Sequence, residues 1–171
     1  MKSNLVLIGF MGSGKSTIGK MLSKYLEMKF VDTDHEIEKE QKQKISNIFE
    51  DKGQEFFREL ESKMIEKISN KKNIVISTGG GAILKKENVD NLKKDALIIY
   101  LNVDRKTLHK RLKYSKNRPL LKKDELWEII NNTLDFREKL YFEACDYYMN
   151  ISDENAYEIA EKIKKLYIEK A

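Results

Sequence analysis

The stretch Leu5-Val6-Leu7-Ile8-Gly9-Phe10-Met11-Gly12-Ser13-Gly14-Lys15-Ser16 decides how the rest of the chain is read. Its continuous apolar run ends at a glycine, the pattern of a strand covered on both faces in the middle of a parallel sheet. Beyond Ser16, the residues Ile18, Met21, Leu22, Tyr25 and Leu26 fall at helical spacing and form the stripe of a helix packed on that sheet. Between strand and helix, Gly9 to Ser16 fits GxxxxGK[ST], in the context where such a loop holds nucleotide phosphates. Glycines let successive N–H groups converge on the phosphates, and the helix start adds a positive dipole. Lys15 would reach the β- and γ-phosphates, and the Ser16 hydroxyl can ligate Mg²⁺. A flexible Gly/Ser turn is the plain alternative, and the flanking strand and helix argue against it.

Working outward, 171 residues make one domain, taken here as residues 1–171. With 40% hydrophobic and 36% charged residues the chain can build a core, which excludes disorder. One cysteine, Cys145, forms no intrachain disulfide, and with two histidines it cannot assemble a common structural zinc site. That usage fits a reducing cytoplasm. Leu5 to Phe10 is too short for a signal core or a membrane span, so no export and no membrane partner are expected. The net charge of +5 is spread over lysines scattered through helical segments, which reads as a solvated surface and not as a nucleic-acid face. A monomer is the default expectation.

The remaining pattern alternates. Phe30 to Thr33, Asn73 to Ser77, Ala96 to Asn102 and Tyr147 to Ile151 read as strands, separated by helical periodicity, which predicts an α/β sandwich around a parallel sheet. Thr33 and Glu36 form an expected capping box. Helices are expected over 42–50 and 54–69, and Ala156, Ile159, Ala160, Ile163, Leu166 and Tyr167 line one face of a closing helix. From Tyr114 to Asp124 periodicity is lost and the only proline, Pro119, occurs, the signature of a mobile lid.

Several residues along this frame carry chemistry. Asp32 and Asp34 stand two apart at a strand's carboxyl end and, if extended, project to the same side, where one could face Mg²⁺ and the other a hydroxyl. Asp34 as simple helix-dipole chemistry is the bland alternative. Gly79-Gly80-Gly81 follows another strand and exposes backbone N–H groups to a ligand, through close approach or unusual dihedrals. Only five of the 33 basic residues are arginines, so arginine is read as chosen for its fork geometry. Arg58 lies three residues before Glu61, which can fix its rotamer. Arg137 continues the inward face of Trp127, Ile130 and Leu134, joined by Tyr141, and an inward arginine needs an anion. Arg118 in the lid is placed to reach a transferring phosphoryl group. Asp104 resembles the end of a metal-binding strand but is read as a helix N-cap. His35, His109 and Cys145 are read as ordinary packing positions.

Together, the phosphate loop, Asp32-x-Asp34, Phe57-Arg58-x-x-Glu61, Thr78-Gly79-Gly80-Gly81, Arg118-Pro119-Leu120-Leu121 and Arg137-x-x-x-Tyr141 resemble, in order and spacing, the shikimate kinase family. The resemblance implies a three-layer P-loop kinase fold, a five-stranded parallel sheet in order 2-3-1-4-5, and shikimate-binding helices over about 34–70. It also implies ATP-dependent phosphorylation of the shikimate 3-hydroxyl on the way to chorismate and the aromatic amino acids. Carried over by residue, Gly12, Ser13, Gly14, Lys15, Ser16 and Thr17 bind ATP with Arg118. Ser16 and Asp32 hold Mg²⁺. Asp34 binds shikimate hydroxyls and orients the attacking one, Arg58 and Arg137 bind the carboxylate, and Gly79, Gly80 and Gly81 line the pocket. Lys15, Asp34 and Arg118 are then the catalytic residues. Arg111 would stack on adenine, aided by the loop from Ser152 to Asn155. A kinase for gluconate or a nucleoside monophosphate shares the loop and fold, and a nucleotide switch protein shares the loop. A guanine-type NKxD motif fails, since Asn70-Lys71-Lys72 is followed by Asn73.

Overall fold

In the computed structural model, which describes residues 2–114, 125–152 and 154–171, the Leu5–Ile8 run lies in the middle strand of a parallel sheet. The strands are β1 (Asn4–Ile8), β2 (Lys29–Asp32), β3 (Ile74–Ser77), β4 (Ala96–Asn102) and β5 (Tyr147–Asn150), in order β2-β3-β1-β4-β5. Leu5, Val6 and Leu7 are all fully buried although neighbours on a strand point to opposite faces, so both faces of β1 are covered. The helices are α1 (Lys15–Tyr25), α2 (Thr33–Gln41), α3 (Ile45–Ser69), α4 (Lys86–Lys93), α5 (Arg105–Lys113), α6 (Leu126–Ala144) and α7 (Ala156–Lys170). Crossovers between parallel strands are right-handed. The step from β1 to β2 runs one way along the sheet and the later steps run back, which puts α1 on one face and α3, α4 and α6 on the other. The closing helix α7 packs on α1, as its apolar stripe requires.

Register brings the chemistry to one edge. Leu7 and Asp32 both pair with Ser77, so the three strands run level there and Ile8, Thr33 and Thr78 come side by side, with Gly9 one residue beyond. Local capping differs from the expected box at Thr33. Asp32 is the N-cap of α2, accepting from the His35 N–H at 3.3 Å, and Thr33 already lies inside the helix. Consequently Asp34 sits in a helical turn and does not share Asp32's strand pleat, which corrects the same-side geometry expected of an extended pair. α2 stops at Gln41 because Lys42 takes a left-handed conformation (φ 51°), and α3 starts at Ile45, whose N–H donates to the Glu38 carboxylate at 3.1 Å. The two expected helices meet at Gly53 (φ 80°, ψ 173°), a single non-helical residue within α3.

Asp104 is an N-cap as read, accepting from the Thr107 N–H at 2.9 Å. Two packing expectations change. Trp127 is 43% exposed, edge-on to His109 with ring centroids 5.6 Å apart, while Leu126 takes the buried position. Arg105 spends its fork on Asn131 (2.9 Å) and Asp135 (2.6 Å), tying α5 to α6, so not every arginine is placed for a ligand. Arg118, Pro119 and the expected lid beyond Tyr114 lie outside the described residues.

Candidate active site

The donor half is built on the turn from β1 into α1. Gly9 (φ 147°), Gly12 (φ 79°) and Gly14 (φ 96°) all take backbone conformations that side chains disfavour. At Gly9 a β-carbon would also stand 2.8 Å from the Leu101 carbonyl oxygen. These dihedrals wind the loop tightly onto the start of α1, where the helix dipole favours an anion. Lys15 is 8% exposed, and its Nζ donates to the carbonyls of Gly9 (2.8 Å) and Phe10 (2.9 Å), holding the ammonium against the loop. Ser13 is buried beneath the loop, while Ser16 and Thr17 open α1 at the surface. An Arg111 Nη1 bond to the Gly12 carbonyl (3.4 Å) brings that arginine from α5 to the loop's rim.

The metal expectation is tested by the donor set. Ser16 Oγ donates to Asp32 Oδ2 at 2.6 Å and lies 3.3 Å from Ser77 Oγ. A hydroxyl and a carboxylate in contact at the strand edge are hard oxygen ligands, and Mg²⁺ is held by one or two such groups together with substrate phosphates and water. Ser16 and Asp32 fit it. Among the described residues no three His, Cys, Asp or Glu side chains gather as an all-protein metal cage.

The acceptor half gathers around Gly79 to Gly81, beyond the end of β3. None of these three glycines has a positive φ, so of the two expected reasons it is close approach that applies here. A β-carbon on Gly79 would lie 2.6 Å from Asp34 Oδ1 and 2.8 Å from Glu61 Oε1. One on Gly81 would lie 2.3 to 2.4 Å from the guanidinium atoms of Arg58. Side chains from α2 and α3 therefore rest directly on bare backbone. Arg58 Nη1 donates to Glu61 Oε2 at 2.5 Å, and Glu61 is 0% exposed, so this is a buried ion pair, with Glu61 fixing the Arg58 rotamer as its spacing predicts. Burial raises the Glu61 pKa above the usual carboxylate range, opposed by the nearby charges of Arg58, Arg137 and Lys85. Arg58 Nε and Glu61 Oε1 are buried without a hydrogen bond inside the protein, polar capacity that a polyhydroxylated or carboxylated ligand can meet.

Arg137 is half-buried on α6 and acts on both Glu61 and Tyr141, so the inward position read from helical spacing holds. Tyr141 donates to the Gly80 carbonyl at 2.5 Å, and Thr33 Oγ1 accepts from the Gly79 N–H at 3.0 Å. Helical spacing identified Tyr141 only as inward, and Thr33 was read as a cap. No sequence signal announces either long-range contact. Lys85 was missed, since nothing local distinguishes it from the other lysines.

The halves adjoin. A β-carbon on Gly80 would stand 3.5 Å from the Met11 amide nitrogen and 3.6 Å from the Gly9 carbonyl oxygen. The fold thus brings Lys15, Ser16, Asp32, Asp34, Arg58, Arg137 and the three glycines to one edge of the sheet. Asn155 stands apart as the N-cap of α7, its Oδ1 accepting from the Glu158 N–H at 3.0 Å, and the Asp104 N–H donates to Ser152 Oγ at 3.0 Å. Such an arrangement can hold a nucleotide's terminal phosphate next to an anionic, hydroxyl-bearing acceptor.

Comparison with known proteins points the same way. A model of the shikimate kinase family matches residues 11–167. The chain is 42% identical over 160 residues to a shikimate kinase of Persephonella marina, covering 94% of this chain and 96% of that one. It is 44% identical over 164 residues to one of Thermodesulfovibrio yellowstonii, covering 96% and 94%. Shikimate kinase from Acinetobacter baumannii, solved in complex with shikimate, superposes with a TM-score of 0.93 at 34% identity, covering 99% of this chain and 94% of that one. The Aquifex aeolicus shikimate kinase gives 0.80 at 33% identity, covering 97% and 96%.

Proposed function

The chain belongs to the shikimate kinase family, whose reaction moves the γ-phosphoryl group of ATP to shikimate with Mg²⁺, and from that premise we propose how its residues share the work. The loop from Gly12 to Thr17 takes the ATP phosphates, with Lys15 neutralising charge that develops on the transferring group. Ser16 and Asp32 hold Mg²⁺, which shields the β- and γ-phosphate charge when bound. Arg118, on sequence grounds, adds a second cation to the phosphoryl group from a lid at 114–124. Arg111 reaches the nucleotide from the loop's rim, with Asn155 at the far end of the adenine loop.

On the acceptor side, Arg58 and Arg137 bind the shikimate carboxylate, and Asp34 accepts from its hydroxyls and orients the 3-hydroxyl for attack. Gly79, Gly80 and Gly81 let the ring lie close to the backbone. Because phosphoryl transfer depends on alignment and electrostatics, Asp34 need not be a strong base. The observation that carries this reading is the contact between the two glycine clusters at Gly80 and Met11, which brings donor and acceptor together.

The chain acts as one domain, a cytoplasmic monomer whose partner is a small molecule and neither a nucleic acid nor a membrane. No helix among the described residues is long and apolar enough to cross a membrane. The test is ADP release with ATP and Mg²⁺, comparing shikimate, gluconate, AMP and no acceptor. Shikimate-dependent turnover is expected, and Asp34→Asn should abolish most of it. Near wild-type turnover of that variant overturns the role given to Asp34.

A further inference from the structure

The substrate-side groups stand on three separate elements, Asp34 on α2, Arg58 on α3 and Arg137 on α6, and they converge on the stretch Gly79–Gly81. Three glycines in a row have no side chains to fix them and more backbone freedom to lose than any other tripeptide. The stretch also lies beyond β3, where the sheet ladder no longer holds Gly79 or Gly80. Two side-chain hydroxyls take over. Thr33 Oγ1 accepts from the Gly79 N–H at 3.0 Å and Tyr141 donates to the Gly80 carbonyl at 2.5 Å, and both side chains belong to fully buried residues.

Each hydroxyl is one step from a substrate group. Thr33 directly precedes Asp34, and Tyr141 lies one helical turn beyond Arg137, on the same face of α6. Tyr141 also interacts with Arg137 through its hydroxyl, and its ring stacks on Tyr100 with centroids 4.9 Å apart. Burial pushes the Tyr141 hydroxyl up to about 12, so it stays a donor at any working pH.

Resting on the acceptor-side reading above, we propose that Thr33 and Tyr141 are positioning residues for shikimate. Their buried hydroxyls fix the glycine backbone and set Asp34 and Arg137 in register with it. Although Gly80 adjoins the phosphate loop, the hydrogen bonds of the two hydroxyls go to Gly79 and Gly80 and not to that loop, so the effect of removing either should fall first on the shikimate KM.

Thr33→Val and Tyr141→Phe remove the hydroxyls while keeping shape, and Thr33→Ser restores one. Steady-state kinetics with each substrate varied, alongside thermal melting, should show the KM for shikimate rising about tenfold in T33V and in Y141F, as for one lost buried hydrogen bond. The KM for ATP should not move, and T33S should return the shikimate KM toward wild type. Lower melting temperature or active fraction with both KM values unchanged overturns the proposal, as does a T33S that behaves like T33V. Should Y141F fail to fold, the T33V and T33S pair carries the test. Arg137→Ala separates the two layers. If it leaves the shikimate KM at the wild-type value, the acceptor-side reading fails; if it raises that KM while T33V and Y141F do not, only the positioning role fails.

Discussion

The two glycine clusters meet at one sheet edge, yet they use the same residue for opposite reasons. In the loop before α1, Gly9, Gly12 and Gly14 are needed for their positive φ angles, the backbone conformation by which the proposed phosphate loop would turn its N–H groups to an anion. Between β3 and the short turn that follows, Gly79 and Gly81 have ordinary dihedrals and are needed for the space a β-carbon would take from Asp34, Glu61 and Arg58. One cluster therefore shapes the backbone itself. The other serves as a floor on which side chains from distant helices are set. The first is a local device that travels as a motif; the second exists only once α2, α3 and α6 have docked.

Substitutions should expose that contrast. The largest effect is expected for Lys15→Met, which removes the loop's one ammonium and should lower kcat by about 10³-fold, read by ADP release, with the fold intact by circular dichroism. Gly81→Ala comes next. Its methyl would displace the Arg58 guanidinium from its buried pair with Glu61, so the shikimate KM should rise about 10²-fold, the loss of a charged contact, and the melting temperature should fall as well. Gly9→Ala should cost stability while leaving the shikimate KM alone. It meets the Leu101 carbonyl, which is backbone, at a disfavoured φ, and should cost roughly 1–3 kcal/mol of stability in denaturant melts. If Gly81→Ala unfolded the protein and left the shikimate KM alone, the contrast would be lost.

The smallest effect serves as a control at a residue belonging to neither cluster. Asp104→Ala removes the cap of α5 and should cost about 1 kcal/mol without changing the shikimate KM. Hydrogen bonds from Ser152 and the Thr107 N–H lower the Asp104 pKa from 3.8 to about 2. A depressed carboxylate pKa stabilises the fold above the unfolded value and the gain disappears as pH falls through the folded one. The melting difference between wild type and variant should thus be full above about pH 4 and shrink toward pH 2.

The comparison also explains what the sequence made legible. β1, the phosphate loop and α1 were readable because their determinants are neighbours: an apolar run, glycines at fixed offsets and a 3.6-residue stripe. Arg137 was readable because helix periodicity projects it inward. The geometry of Asp32 and Asp34 was not, because the helix starts between them and Asp32 takes the cap role expected of Thr33. The Thr33 hydroxyl then serves a glycine 46 residues away, a partner no local pattern names. Trp127 and Arg105 fail for the related reason that a helix stripe gives direction and not what stands opposite. Arg105 finds Asn131 and Asp135 there.

The pairing of β1 has a consequence for how the protein is made. Its neighbours are β3 and β4, with Leu5 opposite Val75 on one side and Leu97 on the other. At a synthesis rate of about 5–20 residues per second, β1 waits roughly 4–14 s for its first partner strand to be made, and longer for the second. During that interval on the ribosome this apolar strand has two open edges. The strand that organises the finished enzyme thus spends much of synthesis with both edges unpaired, the kind of segment that chaperones cover.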